Sequence, residues 1–406
     1  MATIHPFCAL RPVSEKSEAV ASVPYDVINA KEARALAHGK PDSFLHIIRP
    51  EIDLPEGTDE HDDAVYEKGA ENLRRYAQSP LSLQEETPAL YVYRLVMGGR
   101  EQTGLFGCVA VAEYDDDTIL KHENTRPAKE DDRTRHILTQ RAHAEPVMLS
   151  YRDTEVINHL VDGIKHGTPL YDFAAEDGVR HTIWKADDPQ ALVVAFEAVE
   201  KLYVADGHHR CKAASRAAEA LRATAAEGET PEFAFFPAVL FPMSQMHIMP
   251  YNRIVKRLPI APEDLLDELN GVCHLETGVA DPTPNLRGEV CLYMQGQWHR
   301  IELPETRRDT VADGLDVARL SEFILEPILD IDDPRTDPNI DFVGGIRGTA
   351  ELEQRVDADV AELAFSMYAT SIEELVAVSD AGLLMPPKST WFEPKLRSGL
   401  LVHLFD

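Results

Sequence analysis

Leu202-Tyr203-Val204-Ala205-Asp206-Gly207-His208-His209-Arg210 is the stretch from which the chain is best read. Its apolar start reads as a buried strand. The residues after it, Cys211 to Ala225, are rich in Ala and Arg and read as a helix. A strand, a glycine turn and a helix leave free backbone N–H groups at the helix N-terminus, which is a ready anion site. His208, His209 and Arg210 are side chains expected around a phosphate. Asp206 is suited to holding a metal or accepting a proton. The plainer alternative is a capped helix with Asp206 in its turn and solvated His and Arg.

Outward from this stretch, apolar runs alternate with helical patterns. The pattern predicts strands at Pro146 to Tyr151, Val179 to Trp184, Lys201 to Ala205 and Phe233 to Pro242, with a helix at Pro189 to Val199. Nearer the start, Asn29 is a natural N-cap for a helix Ala30 to His38. Ser43 to Arg49 reads as a strand and Asp59 to Gln78 as an amphipathic helix. Ala89 to Met97 and Gly104 to Tyr114 read as strands, with Gly98-Gly99 as the hairpin signal between them. Thr118 to Leu120 is a short strand, and Pro127 suits the first turn of a helix reaching about Ala144. Alternation of this kind predicts an α/β to α+β fold.

Three regions are expected. Residues 1–260 form the first and largest region. Residues 261–304 form a small inserted α+β subdomain, with a helix from Pro262 to Leu269 and strands around Leu275, Cys291 and Trp298. Residues 305–406 form a helical C-terminal region that returns to the core.

Composition narrows the function classes. The chain has 406 residues and a formal net charge of −30, from 70 acidic and 40 basic residues. An acidic surface this strong argues against nucleic acid or membrane binding, so a small-molecule substrate is expected. Salt adaptation and high solubility are other readings of the same charge. Cys8, Cys108, Cys211, Cys273 and Cys291 are scattered, with no C-x-x-C pair, which fits a reducing cytosol rather than disulfides or a structural zinc site. The first residues do not read as a signal peptide, and no apolar run is long enough to span a membrane. G-x-x-x-x-G-K-[ST], G-x-G-x-x-G, G-x-S-x-G and H-E-x-x-H are all absent.

Four further blocks carry chemistry-bearing residues. Lys121-His122-Glu123-Asn124-Thr125-Arg126 precedes Lys129 and Arg133, which lie four apart on one predicted helix face. Those cations read either as ligands for an anion or as a solvated face laced with Glu130, Asp131 and Asp132. Pro24-Tyr25-Asp26 is a proline-fixed turn that would hold Asp26 rigidly, as a general base requires, unless Asp26 is only a turn residue. Pro250-Tyr251-Asn252-Arg253 offers Asn252 and Arg253 to a cleft. Lys388-Ser389-Thr390, with Lys395, either reaches back to a site or ties down the C-terminus.

The D-G-H-H-R motif resembles that of the ParB and sulfiredoxin superfamily, which includes free-serine kinases. More widely, the chain resembles the prokaryotic family of domains of unknown function numbered one thousand and fifteen. The matching pieces are Val23 to Ile28, Lys121 to Arg133, Ala205 to Arg210, Pro250 to Arg253 and Met385 to Gly399. The resemblance implies a ParB/sulfiredoxin-like catalytic region at 1–260 with a mixed-sheet core, and a kinase of free L-serine or a similar hydroxy amino acid, using Mg²⁺ and ATP, ADP or pyrophosphate; with the cysteine usage, a cytoplasmic location is expected. Asp206, with Glu123, would hold the metal. His208 and His209 would hold the transferring group, with Gly207 and Arg210. Asp26 or Glu123 would take the hydroxyl proton. Lys129, Arg133, Asn252, Arg253, Lys388 and Thr390 would bind phosphates or substrate. The other readings are a nucleotide- or phosphate-binding regulator without turnover, and a phosphate-ester hydrolase.

Overall fold

The structure is a computed structural model describing residues 1–225, 228 and 230–405. Part of the Ala- and Glu-rich stretch at 213–229 therefore lies outside the described residues. The chain divides into two compact units. The first holds Met1–Lys121, Thr125–Met246 and Pro394–Asp406; the second holds His122–Asn124 and His247–Glu393.

The first unit is built on a nine-stranded mixed sheet. From one edge, its strands run Ile119–Leu120, Leu202–Asp206, Val147–Tyr151, Phe235–Pro242, Arg100–Ala110, Tyr91–Met97, Arg180–Lys185 and Tyr171–Ala174. Ile4–His5 adds to Arg100–Ala110. Two pairings are parallel: Leu202–Asp206 on Ile119–Leu120, and Phe235–Pro242 on Val147–Tyr151. The hairpin between Tyr91–Met97 and Arg100–Ala110 turns on Gly98 (φ 57°) and Gly99 (φ 81°). Positive φ at both central residues matches the right-handed strand twist, and glycine adopts it without steric penalty. A four-stranded sheet, Ser82–Gln84, Ala9–Pro12, Val402–Leu404 and Ala142–His143, returns the C-terminus to this unit.

Helix His208–Leu221 shows why the sequence folds as it does here. Cys211 and Ala214 join the sheet cluster with Val147, Leu149 and Val204. Ala213, Ala217 and Leu221 pack with Ile137 of helix Pro127–Gln140. This is the 3–4 residue repeat of a helix buried on two sides, and small Ala side chains let its backbone approach both. The helix begins at His208, ahead of the expected Cys211. Gly207, at φ 103°, already supplies the sharp entry.

Two local expectations differ from the structure. Ser43 to Arg49 holds a helical turn, Leu45–Ile48, not a strand. Phe44, Leu45, Ile47 and Ile48 are all buried in one cluster. A short apolar run buried on all sides has no periodicity that separates strand from helix. The strand from Gly104 stops at Ala110, and Val111–Asp115 is a short helix.

The second unit centres on an antiparallel six-stranded sheet in the order His274–Thr277, Gln297–Glu302, Glu289–Met294, Leu363–Met367, Tyr251–Val255, Ile340–Gly344. The three strands of 261–304 thus share one sheet with strands on both sides of that segment. Its core includes Ile254, Cys291, Trp298 and Ala364 beneath helix Gly348–Asp357. Residues 305–406 carry these later strands as well as helices such as Ile372–Asp380. Among the described residues, no helix is long and apolar enough to cross a membrane.

Candidate active site

Strand Leu202–Asp206 pairs with Val147–Tyr151, and its register shifts between Val204 and Asp206. A bulge of this kind re-aims a side chain at a strand end. Gly207 follows in the left-handed region, and no side chain caps the helix it opens. An added Cβ at Gly207 would lie 3.1 Å from the Arg210 guanidinium and 3.1 Å from Val147. The turn therefore requires glycine for its φ and for its close approach to Arg210.

Asp206 is held by two cations. Arg210 Nη2 donates to Asp206 Oδ2 at 3.1 Å, and Lys395 Nζ lies 3.5 Å from Oδ1. Burial opposes ionisation of Asp206, but Lys395, Arg210 and His208 outweigh it and pull the carboxyl down to about 2. Arg210 is itself buried. Its Nη1 donates to the Pro146 carbonyl, and its Nη2 lies 3.8 Å from Asp26 Oδ2. Burial alone would favour neutral guanidine, yet Asp26, Asp206 and Glu145 hold Arg210 charged. Asp26 sits in a single helical turn, Tyr25–Val27, after Pro24. Its side chain is 36% exposed, open enough to meet a substrate.

Glu145 braces this turn. Its Oε1 accepts from the Tyr25 backbone N–H and from Ser398 Oγ, each at 3.1 Å. Burial raises the Glu145 carboxyl above its ordinary range against the pull of Arg210 and Arg133. Arg133 stacks over the Tyr25 ring at 4.0 Å and lies 3.9 Å from Glu145 Oε2. Its guanidinium also pairs with Asp132 Oδ2 at 2.7 Å. The group thus runs Lys395–Asp206–Arg210–Asp26, backed by Glu145 and Arg133. It combines an uncapped helix N-terminus, two cations that can be shared with an anion, and one half-open carboxylate.

The expected site residues divide between the units. Asp26, Lys129, Arg133, Asp206, Gly207, His208, His209 and Arg210 lie in the first; Glu123, Asn252, Arg253, Lys388 and Thr390 lie in the second. Asp26, Asp206, Gly207 and Arg210 meet directly. His208 is buried at the helix start. His209 Nε2 accepts from the Arg126 backbone N–H at 3.1 Å, which makes Nδ1 its donor nitrogen. Lys129 is half-buried on helix Pro127–Gln140, while four residues on the Arg133 guanidinium is engaged by Asp132 and the Tyr25 ring.

In the second unit, Asn252 Oδ1 accepts from the Met367 backbone N–H at 3.0 Å. Arg253 is 3% exposed and, among the described residues, donates to the carbonyls of Tyr251 and Lys388. Burial lowers it to about 10. Lys388 has φ 59° and places its ammonium 5.2 Å from the centre of the Tyr251 ring. Thr390 Oγ1 lies 3.4 Å from His122 Nε2.

Glu145 and Ser398 were not singled out by the sequence. Lys395 was noted in its segment but not placed in the site. Nothing around Ala144-Glu145-Pro146 has a local pattern. The single cue for Lys395 and Ser398 is their place in the Met385 to Gly399 segment.

These features define a mixed α/β protein with a buried Asp206–Arg210 charge pair at a strand–glycine–helix junction. The model of the family described as "Protein of unknown function (DUF1015)" matches residues 4–318, and the chain belongs to that family. No curated protein matches the chain. Among solved structures, it is similar to a free serine kinase in complex with AMP, at 12% identity over 73% of this chain and 91% of that one, with a TM-score of 0.38. A mutant of a free serine kinase in complex with ADP aligns at 12% identity over 73% and 92%, with a TM-score of 0.37. SbnI with a C-terminal truncation, from Staphylococcus aureus, aligns at 14% identity over 74% and 87%, also with 0.37. A likeness at this level does not carry chemistry from those proteins to this one.

Proposed function

We propose that the chain is a phosphotransferase that moves a phosphoryl group from ATP, ADP or pyrophosphate to a small hydroxy amino acid, with free L-serine as the acceptor. The observation that carries this reading is the Asp206–Gly207–Arg210 junction. A carboxylate held ionised and two cations converge where an uncapped helix presents its N–H groups. Phosphoryl transfer needs little covalent chemistry from a protein; positioning and charge stabilisation do most of the work.

In this reading the donor phosphates lie over the helix N-terminus, held by the backbone at Gly207, by His208 and His209, and by Arg210 and Lys395. The acceptor hydroxyl attacks phosphorus as the bond to the leaving phosphate or nucleotide oxygen breaks. Asp26 takes the hydroxyl proton. Glu145 and Arg133 position the Asp26 turn. Magnesium takes oxygen ligands and is held by one or two carboxylates together with substrate phosphates. The ionised Asp206 suits that role and would hold the ion, which when bound would offset charge on the donor phosphates.

The test is a screen of ATP, ADP and pyrophosphate against L-serine, read by phosphorus NMR. O-phosphoserine formed only when serine is present supports the reading. Phosphate release without serine would indicate a hydrolase, and nucleotide binding without turnover a regulator.

A further inference from the structure

A separate cleft of about 550 Å³ opens in the first unit, and nothing in the proposed reaction uses it. That volume suits a small organic ligand. Its floor includes Arg397, whose side chain is 6% exposed. Among the described residues, the carboxylate paired with Arg397 is Asp177, at the tip of the hairpin between Tyr171–Ala174 and Arg180–Lys185. Asp177 is itself 49% exposed. A buried guanidinium thus has a carboxylate partner that can swing into water, so an incoming carboxylate can replace it without leaving a buried charge unpaired.

The rim has the opposite sign. Glu15 and Glu18 line it and have no ion pair among the described residues. Asp42 and Glu176 also line it, paired with Lys16 at 3.1 Å and Lys40 at 2.6 Å. Leu36, Val23 and Phe173 supply apolar wall. One buried cation, apolar sides and an acidic rim match a molecule with a carboxylate at one end, an aliphatic stem and excess positive charge.

We propose that this cleft binds a free cationic amino acid of the lysine or arginine class. Its carboxylate displaces Asp177 from Arg397, its stem lies along Leu36 and Phe173, and its ammonium or guanidinium faces Glu15 and Glu18. The proposal does not depend on phosphoryl transfer, and its test requires no nucleotide.

The experiment is calorimetric titration of the full chain with L-lysine, L-arginine, cadaverine, which lacks the carboxylate, and L-norleucine, which lacks the side-chain cation. Saturable binding of lysine or arginine is expected, with cadaverine and norleucine at least about tenfold weaker. Asp177→Ala should bind lysine more tightly, because the competing carboxylate is gone. It should also melt below wild type without ligand and recover with lysine. Arg397→Gln, checked for folding by circular dichroism, should lose binding. Cadaverine binding as well as lysine would mean attraction to an acidic surface only. That result, no binding by lysine or arginine, or weaker binding by Asp177→Ala would overturn the proposal.

Discussion

Replacing Asp206 by Asn tests the charge network at its centre. The change keeps the shape and removes the charge that faces Lys395 and Arg210. The Asp206 carboxyl is lowered from 3.8 to about 2. At about 1.36 kcal/mol per pH unit, that shift corresponds to roughly 2–3 kcal/mol of folded-state stabilisation at neutral pH. The retained amide oxygen still accepts from Arg210, so the expected loss is about 2 kcal/mol. For a unit of this size that is a fall of roughly 3–10 °C in melting temperature. The sign with pH follows from a depressed carboxyl. The stabilisation is complete above the unfolded value of 3.8 and is lost as pH falls through about 2. The gap between wild type and Asp206→Asn should therefore be full at pH 7 and about half as large near pH 3. Turnover should be lost at every pH. The assay is urea unfolding of both proteins from pH 7 down to pH 3, with phosphorus NMR on the same samples. A stability gap that does not shrink toward pH 3 would refute the charge argument and leave Asp206 as a turn residue. A folded variant with full turnover would remove the junction from the chemistry.

Gly207→Ala forces a Cβ onto a residue at φ 103° and to within 3.1 Å of Arg210, so it should cost about 1–3 kcal/mol and weaken phosphate binding, read by melting temperature and calorimetry. Asn29→Ala removes one half of a reciprocal capping box with Glu32 and should lower stability by about 1 kcal/mol while leaving transfer unchanged, read by the urea midpoint and phosphorus NMR. Excess chelator should abolish transfer and added magnesium restore it; undiminished activity in chelator would rule out the metal.

What the sequence made legible was local. Asn29 and Glu32 form their capping box within four residues, Gly98-Gly99 closes its hairpin, and Pro127 opens its helix as the first helical residue. Each signal is a backbone preference that neighbouring residues enforce, so it survives in the fold. The Asp206–Gly207–Arg210 junction was legible for the same reason: strand end, glycine turn and helix start are adjacent. What was not legible depends on contacts between distant segments. Leu45–Ile48 is helical because Phe44, Leu45, Ile47 and Ile48 are enclosed by one cluster, and enclosure removes the periodicity that identifies a helix. The strands Ile340–Gly344 and Leu363–Met367 gain their identity from pairing with Tyr251–Val255 in one sheet.

The site divides the same way. Its four-residue spacing from Lys129 marks Arg133 in the sequence, yet its place is set by stacking on Tyr25 and facing Glu145. Lys395 reaches Asp206 from the far end of the chain. That distance has a physical consequence. A site whose cation comes from the C-terminal segment is complete only when Ser398 has paired with Ser22 and Val402–Leu404 has joined its sheet. The proposed phosphate site should therefore form late in folding, after the non-local strands close. The local motif proposes an anion site, and the returning C-terminus supplies part of the charge that completes it.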